Sequence, residues 1–122
     1  MVCPMKLTSV QRAPLWSGTA LQGLLGIGVP GERIGEDLVL AVHSAADTGE
    51  PDCRVENGTF AGMRLRDVPG VPDPFPLLIK LIDAGEDLSL QVHPSDPDTE
   101  GGEKTEMWLI LHAEPGARLL YG

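Results

Sequence analysis

Cysteine is nearly absent. Cys3 and Cys53 are the only two, stand fifty residues apart and form no Cys-x-x-Cys pair. This spacing indicates neither a thiolate metal site nor a disulfide framework, and leaves two reduced, incidental thiols. Basic residues are also scarce, 9 Lys and Arg against 18 Asp and Glu, for a formal net charge of −9. Nucleic acid and anionic membrane both need a basic surface, so neither is an expected partner, and an anionic substrate would need a local basic pocket. No apolar run approaches the roughly 18 residues of a membrane-spanning helix. The N-terminal MVCPMKLTSV lacks the apolar centre of a secretory signal, and a cytoplasmic protein is expected. Long helical patterns are few, whereas eleven prolines and fifteen glycines favour short strands joined by turns. With 42% hydrophobic residues in 122, the chain can bury one modest core, which implies a single domain over residues 1–122.

Pro4 and Pro14 disfavour helix at the start of the chain, and Leu7, Leu15 and Trp16 are the expected anchors of an extended entry. Residues 19–25 suit a short helix: Thr19 can cap it, Leu21, Leu24 and Leu25 form a stripe, and Gly26 ends it. Residues 33–44 alternate as a strand ending in His43, which reads as a surface histidine or a metal ligand. Asn57-Gly58 signals a tight turn, and residues 63–68 a short helix stopped by Pro69. Beyond the rigid bend VPGVPDPFP, the apolar run at 77–82 reads as a central strand interrupted by Lys80. Burying that ammonium without a partner costs several kcal/mol, so its tip either snorkels to water at an edge or meets an anion.

Residues 88–108, LSLQVHPSDPDTEGGEKTEMW, carry the chemistry. In a strand over 88–93, Ser89, Gln91 and His93 share one face and Leu88, Leu90 and Val92 the other. After a polar loop, a second strand puts Glu106, Trp108, Ile110 and His112 on one face against Met107, Leu109 and Leu111. Paired, the two strands can bring an amide oxygen, an imidazole and a carboxylate together as ligands of a divalent metal, with His93 favouring zinc. Taken alone, a Gln-x-His pair is more often a solvated strand face than a metal site. His112 is no substitute ligand, because six residues of extended chain from Glu106 span roughly 20 Å.

The run 75–122 resembles the zinc-bearing segment of type I mannose-6-phosphate isomerases, in which an LSxQVHP strand precedes a KTE(M/C)W strand. The likeness extends more weakly to PLWSGTAL, RIGEDLVLAVHS and ENGTFAGMRLRD, with Leu38 where the family's strand carries an aromatic. It implies an all-β fold, the N-terminal part of a cupin-type jelly-roll sandwich with one or two short helices. It also implies one Zn2+ held by Gln91, His93 and Glu106, and Lys80 and Lys104 as the catalytic and phosphate-holding lysines. Ser89 and Trp16 would border the substrate, although a solvated serine and a packing tryptophan are the plain readings of the residues themselves.

The activity implied is interconversion of mannose 6-phosphate and fructose 6-phosphate, in which a proton beside a carbonyl leaves one carbon and returns to its neighbour. A bound metal suits that chemistry as a Lewis acid. The family's fourth ligand, a histidine, and its pocket arginine would fall beyond Gly122, so the chain reads as incomplete. Its ending, ARLLYG, has a strand pattern whose open edge invites a homodimer or a complementing C-terminal half. The alternatives are an inactive cupin-like module binding sugar or metal, and a fragment with no independent function.

Overall fold

The computed structural model describes residues 4–42, 52–91 and 105–120. The chain divides into two units, Met1–Leu88 and Ser89–Gly122.

In the first unit, Val10–Arg12 (β1), Glu36–Leu40 (β2) and Ile79–Ile82 (β3) form an antiparallel sheet in the order β1-β2-β3. Val10 pairs with Leu38 and Arg12 with Glu36, while across the second ladder Glu36 pairs with Ile82 and Leu38 with Lys80. Directly opposed residues share a face, so Arg12, Glu36, Lys80 and Ile82 lie on the same side as Val10 and Leu38. Leu40 pairs with Ile79, which leaves Val39 as the extra residue of a bulge. This small antiparallel sheet is compatible with an all-β fold. No helix among the described residues is long and apolar enough to cross a membrane.

Two small cores hold the unit together. Leu38, Ala41 and Cys53 form one, with Leu7 and Val10 packed against them. Val55, Leu65 and Val68 form the other, against which Leu7, Leu40 and Phe60 also pack. Leu7 therefore serves both, as an anchor should. Leu15 does not, since it is 94% exposed. It sits between Pro14, whose carbonyl accepts bonds from the Ser17 N–H and hydroxyl, and Trp16, and that tight turn throws its side chain outward.

The short helix forms at Ala20–Leu25 (α1), and Gly26 closes it at φ 67°, donating its N–H to the Gln22 carbonyl at 3.0 Å. A left-handed residue at that position favours glycine, because it has no Cβ to clash. The expected cap is corrected. Thr19 makes no side-chain capping bond. Instead Asp83, just past β3, accepts from the Ala20 N–H at 2.5 Å and the Leu21 N–H at 3.1 Å. The Asp83 backbone adds two bonds, its N–H to the Gly35 carbonyl and its carbonyl to the Gly18 N–H, each 2.9 Å.

Other expectations shift in extent. The strand placed at 33–44 is Glu36–Leu40, and the helix placed at 63–68 is a single 3-10 turn, Leu65–Asp67. Asn57-Gly58 does begin a tight turn, with Gly58 at φ 70° leading a 3-10 turn to Phe60 and the Gly62 N–H closing on the Val55 carbonyl at 2.7 Å. The strand placed centrally at 77–82 is β3, at one edge of the sheet, with Leu77, Leu78 and Ile79 exposed. A run of apolar residues marks burial on both faces but does not say which neighbours supply it.

Of the strand expected at 88–93, residues 92 and 93 lie outside the described residues; neither its described part nor 106–112 forms a strand, and the described residues of the second unit carry a turn at Glu114–Ala117. Alternation is a property of one segment, whereas a strand exists only in a ladder with another. Residues 107–111 are exposed on both sides, from 46% at Trp108 to 90% at Met107.

The Asp83 carboxylate should carry measurable stability, since each amide it satisfies would otherwise be an orphan at a helix start. Asp83→Ala should lower the unfolding free energy by about 1–2 kcal/mol, and Asp83→Asn by less, because its amide oxygen still accepts. Urea titration followed by circular dichroism measures this, and an unchanged midpoint for Asp83→Ala would show that the cap contributes nothing.

Candidate functional site

Lys80 points along the sheet face that also carries Glu36 and Arg12. Its Nζ donates to Glu36 Oε1 at 2.7 Å, and Arg12 Nη1 lies 3.9 Å from Glu36 Oε2. The Glu36 side chain is only 14% exposed and that of Lys80 32%. The anion that answers the lysine is therefore a carboxylate of the neighbouring strand, placed diagonally across the ladder by the Glu36–Ile82 register. Of the two expectations for this lysine, water at an edge or an anion, the structure shows the second, with the anion supplied by the protein itself. In the sequence Glu36 stands out only as part of RIGEDLVLAVHS. The alternation of two adjacent strands, each with one charge facing the same way, was the signal that could have found the pair.

Trp16 is half-buried, and its carbonyl accepts from the N–H groups of Gly85 and Glu86 at 2.8 and 3.2 Å. Its ring closes on Gly35, where a Cβ would come within 2.7 Å of Cζ3 and within 2.6 Å of Ser17 Oγ. Only glycine fits that approach, so the structure gives Trp16 a packing role. Arg33 secures the same segment by donating to the Ser17 carbonyl at 2.6 Å.

Ser89, Gln91 and Glu106 belong to the second unit, and all three are exposed. Gln91 donates its Nε2 to Ser89 Oγ at 3.5 Å, a contact between alternate residues. That leaves the Gln91 carbonyl oxygen, the atom a hard or borderline metal would take, without a claim from Ser89. His93 and Lys104 lie outside the described residues, as does His43. Among the described residues no group of three or more His, Cys, Asp or Glu is placed to hold a metal. His112 Nε2 is 3.3 Å from Glu114 Oε1. As a donor set, an amide oxygen, an imidazole and a carboxylate fit zinc chemically, and the described residues supply the first and last.

A titration shift caused by burial lies elsewhere, at Cys53. Cys53 is fully buried, and its Sγ accepts from the Ala41 N–H at 3.3 Å and reaches the Leu38 carbonyl at 3.5 Å. Burial pushes its thiol above the ordinary 9.0; the Ala41 bond opposes this, and the carboxylates of Asp52 and Asp37 add to it. Asp52 is itself buried in an ion pair with Arg66. Both carboxylates and the thiol belong to the packing of the first unit.

Comparison with known proteins adds what this geometry does not contain. The chain is 38% identical over 136 residues to the probable mannose-6-phosphate isomerase GmuF of Bacillus subtilis, covering 100% of this chain and 42% of that one. It is 35% identical over 133 residues to the mannose-6-phosphate isomerase ManA of the same organism, covering 98% and 40%. A third relative, the mannose-6-phosphate isomerase of Streptococcus mutans, is 33% identical over 135 residues, covering 100% and 41%.

The chain is similar to mannose-6-phosphate isomerases along nearly its whole length. It spans about two-fifths of the length of these relatives. No family model matches the chain, and no solved structure does. The isomerase likeness thus rests on whole-chain similarity to named aldose-ketose isomerases.

Because its burial favours the neutral thiol, Cys53 should be unreactive in the folded protein. In a Cys3→Ser background, labelling by a maleimide near neutral pH should be at least about tenfold slower than in denaturant. The sign of the pH effect follows from the raised folded value: the thiol's contribution to stability is complete below the ordinary 9.0 and is lost as pH rises through the raised value. Equal labelling rates in native and unfolded chains would contradict the packing of Cys53.

Proposed function

We propose that this chain is the metal-binding part of a zinc-dependent isomerase that interconverts mannose 6-phosphate and fructose 6-phosphate in the cytoplasm. The observation that carries the reading is the similarity to mannose-6-phosphate isomerases over 98–100% of the chain, which includes both QVH and KTE. The fold that goes with it is the N-terminal part of a cupin-type jelly roll. Gln91, His93 and Glu106 hold one Zn2+. When bound, the metal supplies Lewis-acid polarisation of the sugar's carbonyl.

The protein's other residues bind and orient. Lys80 and Lys104 neutralise the phosphate, and Ser89 hydrogen-bonds the sugar. Lys80 arrives with its ammonium already held by Glu36, so phosphate competes with a carboxylate for it rather than filling an empty site. In a chain of net charge −9 the global field opposes an anionic substrate, so its binding depends on such basic side chains.

A second reading is favoured by one observation, the two-fifths coverage of the relatives. On it, these residues bind zinc and sugar phosphate without turnover until further polypeptide supplies the remaining groups. Isomerisation separates the two, and zinc stoichiometry tests what they share. By chelator competition the chain should bind one zinc, and His93→Ala, Gln91→Ala or Glu106→Ala should each weaken it. A coupled assay on the zinc-loaded 122 residues should show turnover near background, since loss of a single charge-stabilising group commonly lowers it about a hundredfold or more. Full turnover by these residues alone would refute the second reading, and absence of zinc binding would refute both.

Lys80→Ala and Lys104→Ala should weaken mannose 6-phosphate much more than mannose, as isothermal calorimetry would read directly. Equal losses for the two sugars would remove the phosphate assignment.

A further inference from the structure

Glu36 is bonded to one cation and only near a second. Its Oε1 accepts from Lys80 Nζ at 2.7 Å, whereas its other oxygen, Oε2, lies 3.9 Å from Arg12 Nη1, about 1 Å beyond a hydrogen bond. The ladders put both cations within reach. Arg12 stands directly opposite Glu36 on β1, and Lys80, opposite Leu38 on β3, stands diagonal to it. Of the residues that these pairs place on the same face, Val10, Arg12, Glu36, Leu38, Lys80 and Ile82, only Arg12 and Lys80 are positively charged. A phosphate that takes the lysine leaves a carboxylate, its side chain only 14% exposed, without its bond and beside a second anion. An ion pair broken in so desolvated a place costs far more than one at an open surface, and the two like charges repel. Arg12 can answer both costs at once.

We propose that Arg12 is a positioning residue for phosphate at Lys80: when the phosphate takes the ammonium, the Glu36 carboxylate passes to the Arg12 guanidinium. The step is small, because Oε2 already lies within ion-pair range and a guanidinium offers donors to both oxygens of a carboxylate. Glu36 stays neutralised throughout, and Lys80 is released to the ligand. Arg12 itself touches no substrate. Its effect is confined to ligands with an anionic group able to displace a carboxylate from the lysine, so it favours a phosphorylated sugar over the same sugar without phosphate. The inference rests on the phosphate role proposed for Lys80, and the two can fail separately.

The test is isothermal calorimetry on the 122-residue chain with mannose 6-phosphate and with mannose. Arg12→Gln should weaken mannose 6-phosphate about tenfold and leave mannose within about twofold. Arg12→Lys should recover most of the loss, since an ammonium can still take Glu36. Glu36→Gln should bind mannose 6-phosphate at least as tightly as the parent, because the competitor for Lys80 is then neutral. In that background no charge is left for Arg12 to take up, so adding Arg12→Gln should change the affinity less than about twofold. Where a variant folds poorly, the parent decides by itself: saturating mannose 6-phosphate should slow exchange of the Arg12 Nε proton with water, read by NMR, as Glu36 closes on it. A loss from Arg12→Gln that persists beside Glu36→Gln would overturn the proposal, by showing that Arg12 meets the phosphate itself. No loss from Arg12→Gln while Lys80→Ala remains damaging, or an Arg12 proton indifferent to the ligand, would remove the exchange and spare the phosphate role of Lys80. No loss from Lys80→Ala, or no binding of mannose 6-phosphate by the parent, would remove both.

Discussion

Asp83 is the residue on which the first unit depends. Its N–H extends the β2–β3 ladder to Gly35, its carbonyl takes the Gly18 N–H, and its carboxylate takes the first amides of α1. A carboxylate suits that place because the start of a helix presents unpaired N–H groups and a partial positive charge. The consequence is topological. A six-residue helix is too short to hold itself together in water, so α1 exists because the end of β3 holds its start. The entry segment is fixed the same way, with Ser17 bridged to Ala84 and Gly18 to Ile34.

With the entry segment held there, Trp16 lands on Gly35, and Gly35 precedes Glu36. The chain of constraint thus runs from Asp83 through Gly35 to the one charged residue of β2 that meets Lys80. Glu36 lies between two cations in a partly desolvated place, where an ion pair is worth more than at an open surface but costs more to assemble. Such a lysine is pre-positioned and pre-neutralised. In the phosphate role proposed for Lys80, the first property would help and the second would hinder.

Local signals in the sequence were legible and relational ones were not. Gly26 as the end of α1, Asn57-Gly58 as a turn and an apolar run at 77–82 as a strand each follow from what one short segment prefers. Who caps α1 did not follow, because Thr19 had the right chemistry next door while Asp83 had the right position 63 residues away. The edge position of β3 and the exposure of Leu15 were hidden for the same reason: both depend on what the rest of the chain places nearby. Of the candidate site, Lys80, Ser89, Gln91 and Glu106 were nameable from pattern and resemblance. Glu36 acquired a role only when the register between β2 and β3 was known.

The segment 107–111 shows how pattern and ladder come apart. Five consecutive apolar residues, Met107 to Leu111, describe a strand covered on both faces, yet both faces are exposed. Fully burying each such side chain would contribute about 1.5–3 kcal/mol, so the sequence carries a driving force that the described structure does not use. The first unit repeats this imbalance at Leu77, Leu78 and Ile79. Period-two alternation cannot name the strand that would pair with such a run, so the pairing that would cover it is not specified by the segment itself.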